Sequence, residues 1–144
     1  MAAPEVRYWE DVAVGQELGF EESFDSQRLV VWASASGDFY QIHYDEEFAR
    51  KNNLPGIIVH GALKGMIVGR MLYEWTGARG RIVSWDVSYR GMDPAREDLR
   101  FWARVTRTYQ EAGEGRVDLD VGVNGPGGRE STPGTATVAL PLRG

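Results

Sequence analysis

At 144 residues and 16.1 kDa, the chain has the length of one domain, and a domain of this size buries about 70% of the surface its unfolded form exposes. With 42% hydrophobic and 11% aromatic residues, it reads as a packed protein, which excludes a disordered tail or a collagen-like repeat. A net charge of −5 and the absence of cysteine argue against a nucleic-acid partner and exclude disulfide frameworks, thiolate nucleophiles and sulfur-bound zinc.

Taken in chain order, Met1 to Val12 carries Pro4, Glu5, Arg7, Glu10 and Asp11 with no apolar run of signal-peptide length, so a cytoplasmic location is expected. Gly15 to Phe24 reads as a first strand. Ser26 to Ala35 reads as a short helix capped by Ser26, and Asp45 to Lys51 as a further helical turn or two. The strongest helical signal follows, with Ala62, Leu63, Met66, Ile67, Met71, Leu72 and Trp75 at the spacing of a buried face and Gly77 as the stop. Lys64, Arg70 and Glu74 interrupt this apolar stretch, so it is no membrane span.

Gly61, Gly65 and Gly69 recur every fourth residue on that helix. A glycine inside a helix costs about 1 kcal/mol against alanine, so the stripe predicts a backbone pressed against a sheet that wraps it.

Four alternating segments complete the chain. They run through Val83, Trp85, Val87 and Tyr89; Leu99, Phe101, Ala103 and Val105; Val117, Leu119, Val121 and Val123; and Ala136, Val138, Leu140 and Leu142. Each has the period of a half-buried strand. Turn chemistry separates them at Gly91-Met92-Asp93-Pro94, at residues 111–115 and at residues 124–128, so an antiparallel meander is expected. The result is one α+β domain over 1–144, a curved antiparallel sheet around one long central helix.

The only two histidines, His43 and His60, fall shortly before the central helix or at its start. Asp38 and His43 lie in one loop, and a carboxylate held beside an imidazole can move protons near neutral pH. Spacing alone leaves this open against a helix cap and a packing histidine. His60-Gly61 is a candidate oxyanion site, because backbone N–H groups at a helix start are unpaired and the helix dipole is positive there; its alternative is a packing residue followed by a permissive glycine. Lys64, one turn on, either meets an anionic part of a substrate or snorkels to solvent.

The run Ser36-Gly37-Asp38, then His43, Ala49 and Ile58-Val59-His60-Gly61-Ala62-Leu63 resembles the MaoC-like (R)-specific enoyl-thioester hydratases and 3-hydroxyacyl-thioester dehydratases. The resemblance implies the hot-dog fold. It also implies reversible hydration of a trans-2-enoyl thioester by Asp38 and His43, with Gly61 N–H, His60 and Tyr40 around the substrate. Tyr40 and Gln41 stand where the family's Asp-x-Asn-Pro-x-His loop has asparagine and proline, so Tyr40 is expected to supply a different polar contact or to reshape the acyl pocket. No metal or redox cofactor is required, since the acyl group arrives on coenzyme A or a carrier protein.

Residues 64 to 107 carry a local charge of +4 against −9 for the remainder, and such a surface can hold the carrier's phosphates. An exposed sheet edge predicts a dimer, either of one chain or with a homologous subunit. Two alternatives belong to other classes: a non-catalytic subunit that shapes an acyl tunnel, and a thioesterase. The second would use a carboxylate on the central helix, where the only acid, Glu74, lies at the far end.

Overall fold

The computed structural model describes residues 5–144; the part of the no-leader expectation that concerns residues 1–4 lies outside them. In chain order the elements are β1 (Glu17–Glu22), α1 (Ser26–Ser36), α2 (Glu46–Lys51), α3 (Gly61–Thr76), β2 (Arg81–Val87), β3 (Leu99–Glu111), β4 (Glu114–Asn124) and β5 (Glu130–Leu140). The strands form one antiparallel sheet in the order β1-β3-β4-β5-β2.

The inward residues of the last three strands make the core. Leu99, Phe101, Ala103, Val105, Val117, Leu119, Val121, Val123, Ala136, Val138 and Leu140 are all buried, and together with Leu63, Ile67, Val68, Met71, Leu72 and Trp75 of α3 they form one cluster. Register shifts in three strand pairs, at Ile82/Ser84, Val105/Arg107 and Val123/Asn124, mark bulges of the kind that bend strands and increase twist. They suit a sheet that curls around a helix. The β3–β4 turn is made by Ala112 and Gly113, both at positive φ, as a two-residue hairpin of this twist requires.

The glycine stripe behaves as expected. A Cβ on Gly61 would lie 3.1 Å from the Tyr89 ring, one on Gly65 2.7 Å from Tyr89 Oη, and one on Gly69 3.3 Å from Trp85. The missing side chains thus let the extended chain from β2 to Tyr89 lie directly on α3.

Four expectations are corrected. The meander covers β3, β4 and β5 only: β2 pairs with β5 at the far edge, and the chain crosses β5 and β4 to reach β3. The 88–98 connection has the reach to do this because paired strands lie about 4.8 Å apart. Asp25, not Ser26, caps α1, its carboxylate accepting from Arg28 N at 2.9 Å. Val83 and Trp85 are 42% and 41% exposed, so β2 has no buried face within one chain. Met66 is likewise exposed, because it points away from the sheet. No helix among the described residues is long and apolar enough to cross a membrane.

Candidate active site

Three local structures carry the candidate residues. Helix α1 ends at Gly37, whose φ of 79° is a left-handed conformation suited to glycine. The chain turns there, and the Ser36 hydroxyl accepts from Asp38 N while Asp38 Oδ1 accepts from Tyr40 N. A 3-10 turn, Gln41–His43, then directs His43 inward. The third piece is the extended segment 57–60 that enters α3, tied down by Ile58 N to the Ile42 carbonyl and Val59 N to the Asp93 carbonyl.

His43 is buried at 6% exposure, and its Nδ1 lies 2.8 Å from the Ile58 carbonyl oxygen. A carbonyl only accepts, so Nδ1 carries the proton and Nε2 of the neutral ring is left as an acceptor. That Nε2 lies 3.8 Å from Asp38 Oδ2. The gap is too wide for a direct hydrogen bond and suits a water bonded to both groups. Asp38 itself is half-exposed, so the pair opens to the surface.

His60 is fully buried and stacks on His43 with ring centroids 3.7 Å apart and planes 18° from parallel. Its Nε2 donates to the Asp38 backbone carbonyl at 3.1 Å, and its Nδ1 has no partner. Burial pushes the His60 pKa below its usual 6.5, and the neighbouring His43 pushes the same way; Asp38, through its carbonyl and its charge, acts in opposition. A neutral His60 therefore braces both Asp38 and the ring of His43.

Gly61 is the first residue of α3, whose N-terminus has no side-chain cap, so its leading N–H groups are available to an oxyanion. Gly61 and His43 line one cleft of about 580 Å³ together with Lys64, Tyr89, Arg90 and Arg129. Among the described residues neither of these arginines forms an ion pair, a state they share with Arg79, Arg100 and Arg107 but not with Arg70, Arg81, Arg96 and Arg104. Asp38 and His60 do not line the cleft, and neither does Tyr40. It is half-exposed, with its ring edge-on to His43 and Phe48, and it acts on the site through the backbone N–H that holds Asp38.

Neither reading of Lys64 holds. Its side chain is 1% exposed and its ammonium donates to Asp93 Oδ2 at 2.7 Å, to the Gly91 carbonyl at 3.0 Å and to Ser131 Oγ at 3.4 Å. Asp93 and Ser131 were not legible as its partners, lying 29 and 67 residues away; the signal that something must answer Lys64 was a lone cation inside an apolar helix face.

Asp38, His43 and His60 are also the one group among the described residues whose atoms lie close enough, within 4.8 Å, to hold a metal ion. The bonds to carbonyl groups engage His43 Nδ1 and His60 Nε2, so each ring keeps one nitrogen, His43 Nε2 and His60 Nδ1, as an acceptor.

Known proteins bear on this geometry. The chain resembles an (R)-hydratase from A. caviae involved in PHA biosynthesis, at 22% identity and a TM-score of 0.84 over 92% of this chain and 99% of that one. R-hydratase PhaJ1 from Pseudomonas aeruginosa matches at 20% identity and a TM-score of 0.86, over 98% and 89%. The ChsH1-ChsH2 complex from Mycobacterium tuberculosis matches at 22% and 0.76, over 90% and 98%. At these identities the likeness establishes the hot-dog fold. No curated protein sequence matches the chain. The family model described as the MaoC like domain matches residues 4–124, and with most of its length covered, the chain belongs to the MaoC-like family.

Proposed function

We propose that the protein is a hydro-lyase that reversibly adds water to a trans-2-enoyl thioester to give an (R)-3-hydroxyacyl thioester. The observation that carries this reading is the 3.8 Å gap between Asp38 Oδ2 and His43 Nε2, with the far side of the imidazole locked onto the Ile58 carbonyl. A water held there loses a proton to the pair as its oxygen bonds to C3. The C2–C3 π electrons move toward the thioester oxygen, and C2 then takes a proton back from the pair, so no proton is gained or lost. Charge on the thioester oxygen would be met by Gly61 N–H, where the helix dipole adds to the hydrogen bond.

Arg90 and Arg129 at the same cleft suit the phosphates of coenzyme A or of a carrier protein's arm. Val83, Trp85 and Tyr89 lie exposed along the β2 edge of the sheet, which supports a dimer, either with a second copy or with a homologous subunit. The family and the (R)-hydratase likeness support the reaction class.

The test is the loss of enoyl-thioester ultraviolet absorbance on adding purified protein to trans-2-enoyl-coenzyme A substrates of short, long and polycyclic acyl groups. Activity abolished by Asp38→Asn is the expected result. Protein inert on all of them until a homologous subunit is added would favour the non-catalytic subunit, a reading that the ChsH1-ChsH2 likeness keeps in view.

A further inference from the structure

The Lys64–Asp93–Ser131 cluster has no part in the water chemistry above, yet among the described residues it is the most deeply buried ionic group. Side-chain exposure is 1% for Lys64 and 2% for Asp93, and Ser131 is fully buried. All three ammonium protons have acceptors, in Asp93, Gly91 and Ser131, and the Ser131 hydroxyl lies within hydrogen-bond distance of both Asp93 Oδ2 and the Val123 carbonyl. The cluster therefore ties three otherwise separate pieces together: the first turn of α3, the 91–93 stretch of the crossover, and the start of β5.

Its position relative to the site gives it a consequence. The residue whose carboxylate is held by Lys64 also accepts, through its backbone carbonyl, the N–H of Val59 at 2.9 Å. That N–H belongs to the same peptide unit as the Ile58 carbonyl, which fixes Nδ1 of His43. The bridge between Ile58 and Pro94 and the bond from Ala95 N to the Ile57 carbonyl continue the same contact. A continuous run of hydrogen bonds thus links the Lys64 ammonium to the imidazole that faces Asp38.

We infer that Lys64 and Asp93 are positioning residues: their buried ion pair, completed by Ser131, sets the 57–60 segment and through it the orientation and tautomer of His43. This rests on the hydratase reading for its catalytic meaning, but not for its structural one. A small displacement of an acid–base group costs rate disproportionately, on the order of 100-fold for about 1 Å, and a tether of this kind acts on kcat and not on substrate affinity.

The experiment uses Lys64→Met/Asp93→Asn, which removes both charges with little change of shape, and Ser131→Ala, which removes one hydroxyl. Since the chain has only two histidines, ¹⁵N-histidine labelling resolves both rings in one spectrum. In the wild type the His43 signals should be those of an Nδ1-protonated ring. In the double variant, with its fold verified by circular dichroism, those signals should shift or broaden toward a tautomer mixture. Turnover of crotonyl-coenzyme A should fall by at least about 10-fold with KM within about 3-fold.

Ser131→Ala should move the same resonances by less. A folded double variant with wild-type His43 signals and wild-type turnover would overturn the inference. If the double variant does not fold, an unmoved His43 spectrum in Ser131→Ala overturns it equally. A wild-type protein without hydratase activity would remove the proposed function, while the histidine spectra would still decide the positioning role.

Discussion

At the scale of single residues, the proposed reaction rests on Asp38 and His43, whose 3.8 Å separation suits a shared water. Asp38→Asn and His43→Gln should each lower hydratase turnover by about 100-fold or more. The double substitution should resemble the worse single one, because each group has little to do once the other is gone. Steady-state kinetics of the three variants check this, and additive losses would show that the groups act on different atoms.

His60 makes a separate prediction, about pH. Its pKa is depressed in the folded protein, so below about 6.5 the unfolded chain binds a proton that the folded one does not. Stability is full above that pH and falls as the pH drops from there toward the depressed value. Denaturant midpoints measured from pH 7.5 to 5 should decline in the wild type and decline less in His60→Gln. Glu46, lowered by its hydrogen bond to Arg96, acts only below about 4.5 and does not enter this window.

Lys64 belongs to the same scale. Lys64→Met alone leaves the Asp93 charge buried and unpaired, a change that costs about 3–5 kcal/mol. Removing both charges should restore most of that loss in urea unfolding.

Among the elements, α3 shows how a helix can be built for contact and not for its own stability. Gly65→Ala gains about 1 kcal/mol of helix propensity, and its new methyl meets the tip of the Tyr89 side chain, itself 55% exposed. The ring tip can give way, but Val87 Cγ2, 3.3 Å from the new methyl, must yield as well, so the two effects offset and the variant should stay within about 1 kcal/mol of the wild type. Gly77→Ala meets a different obstacle. Gly77 has a φ of 71° and a Cβ there would strike the Glu5 carbonyl, which is backbone and cannot rotate away. Thermal unfolding should place Gly77→Ala more than about 1 kcal/mol below the wild type and below Gly65→Ala.

For the whole molecule, the open question posed by the surface is what covers β2. One edge of that strand pairs with β5, the other is unpaired among the described residues, and Tyr73 and Val83 stand exposed beside it at 70% and 42%. Apolar side chains around an unpaired edge invite pairing with another chain. Sedimentation at micromolar concentration should therefore give a species of about 32 kDa, twice the chain mass. Val83→Glu, which puts a charge on that edge without touching the glycine stripe, should shift it toward the monomer.

Much of this was readable from local pattern. The period-2 runs of β3, β4 and β5, the helical spacing of α3 and the glycine stripe all report which side of an element is buried, and that is a property of neighbouring residues. Spacing alone left the Asp38–His43 loop open against a cap and a packing histidine; the resemblance carried by residues 36–63 is what singled it out. The strand order was not legible. Alternation says that β2 is a strand but not that it pairs with β5 across two intervening strands, because pairing is chosen by the closure of the sheet around α3. Nor could the sequence foretell that His60 would stack on His43, that the Ile58 carbonyl would select the tautomer, or that Lys64 would find Asp93 and Ser131. Each of those contacts joins residues 15 to 67 positions apart, and only the folded chain brings them within hydrogen-bonding or stacking range.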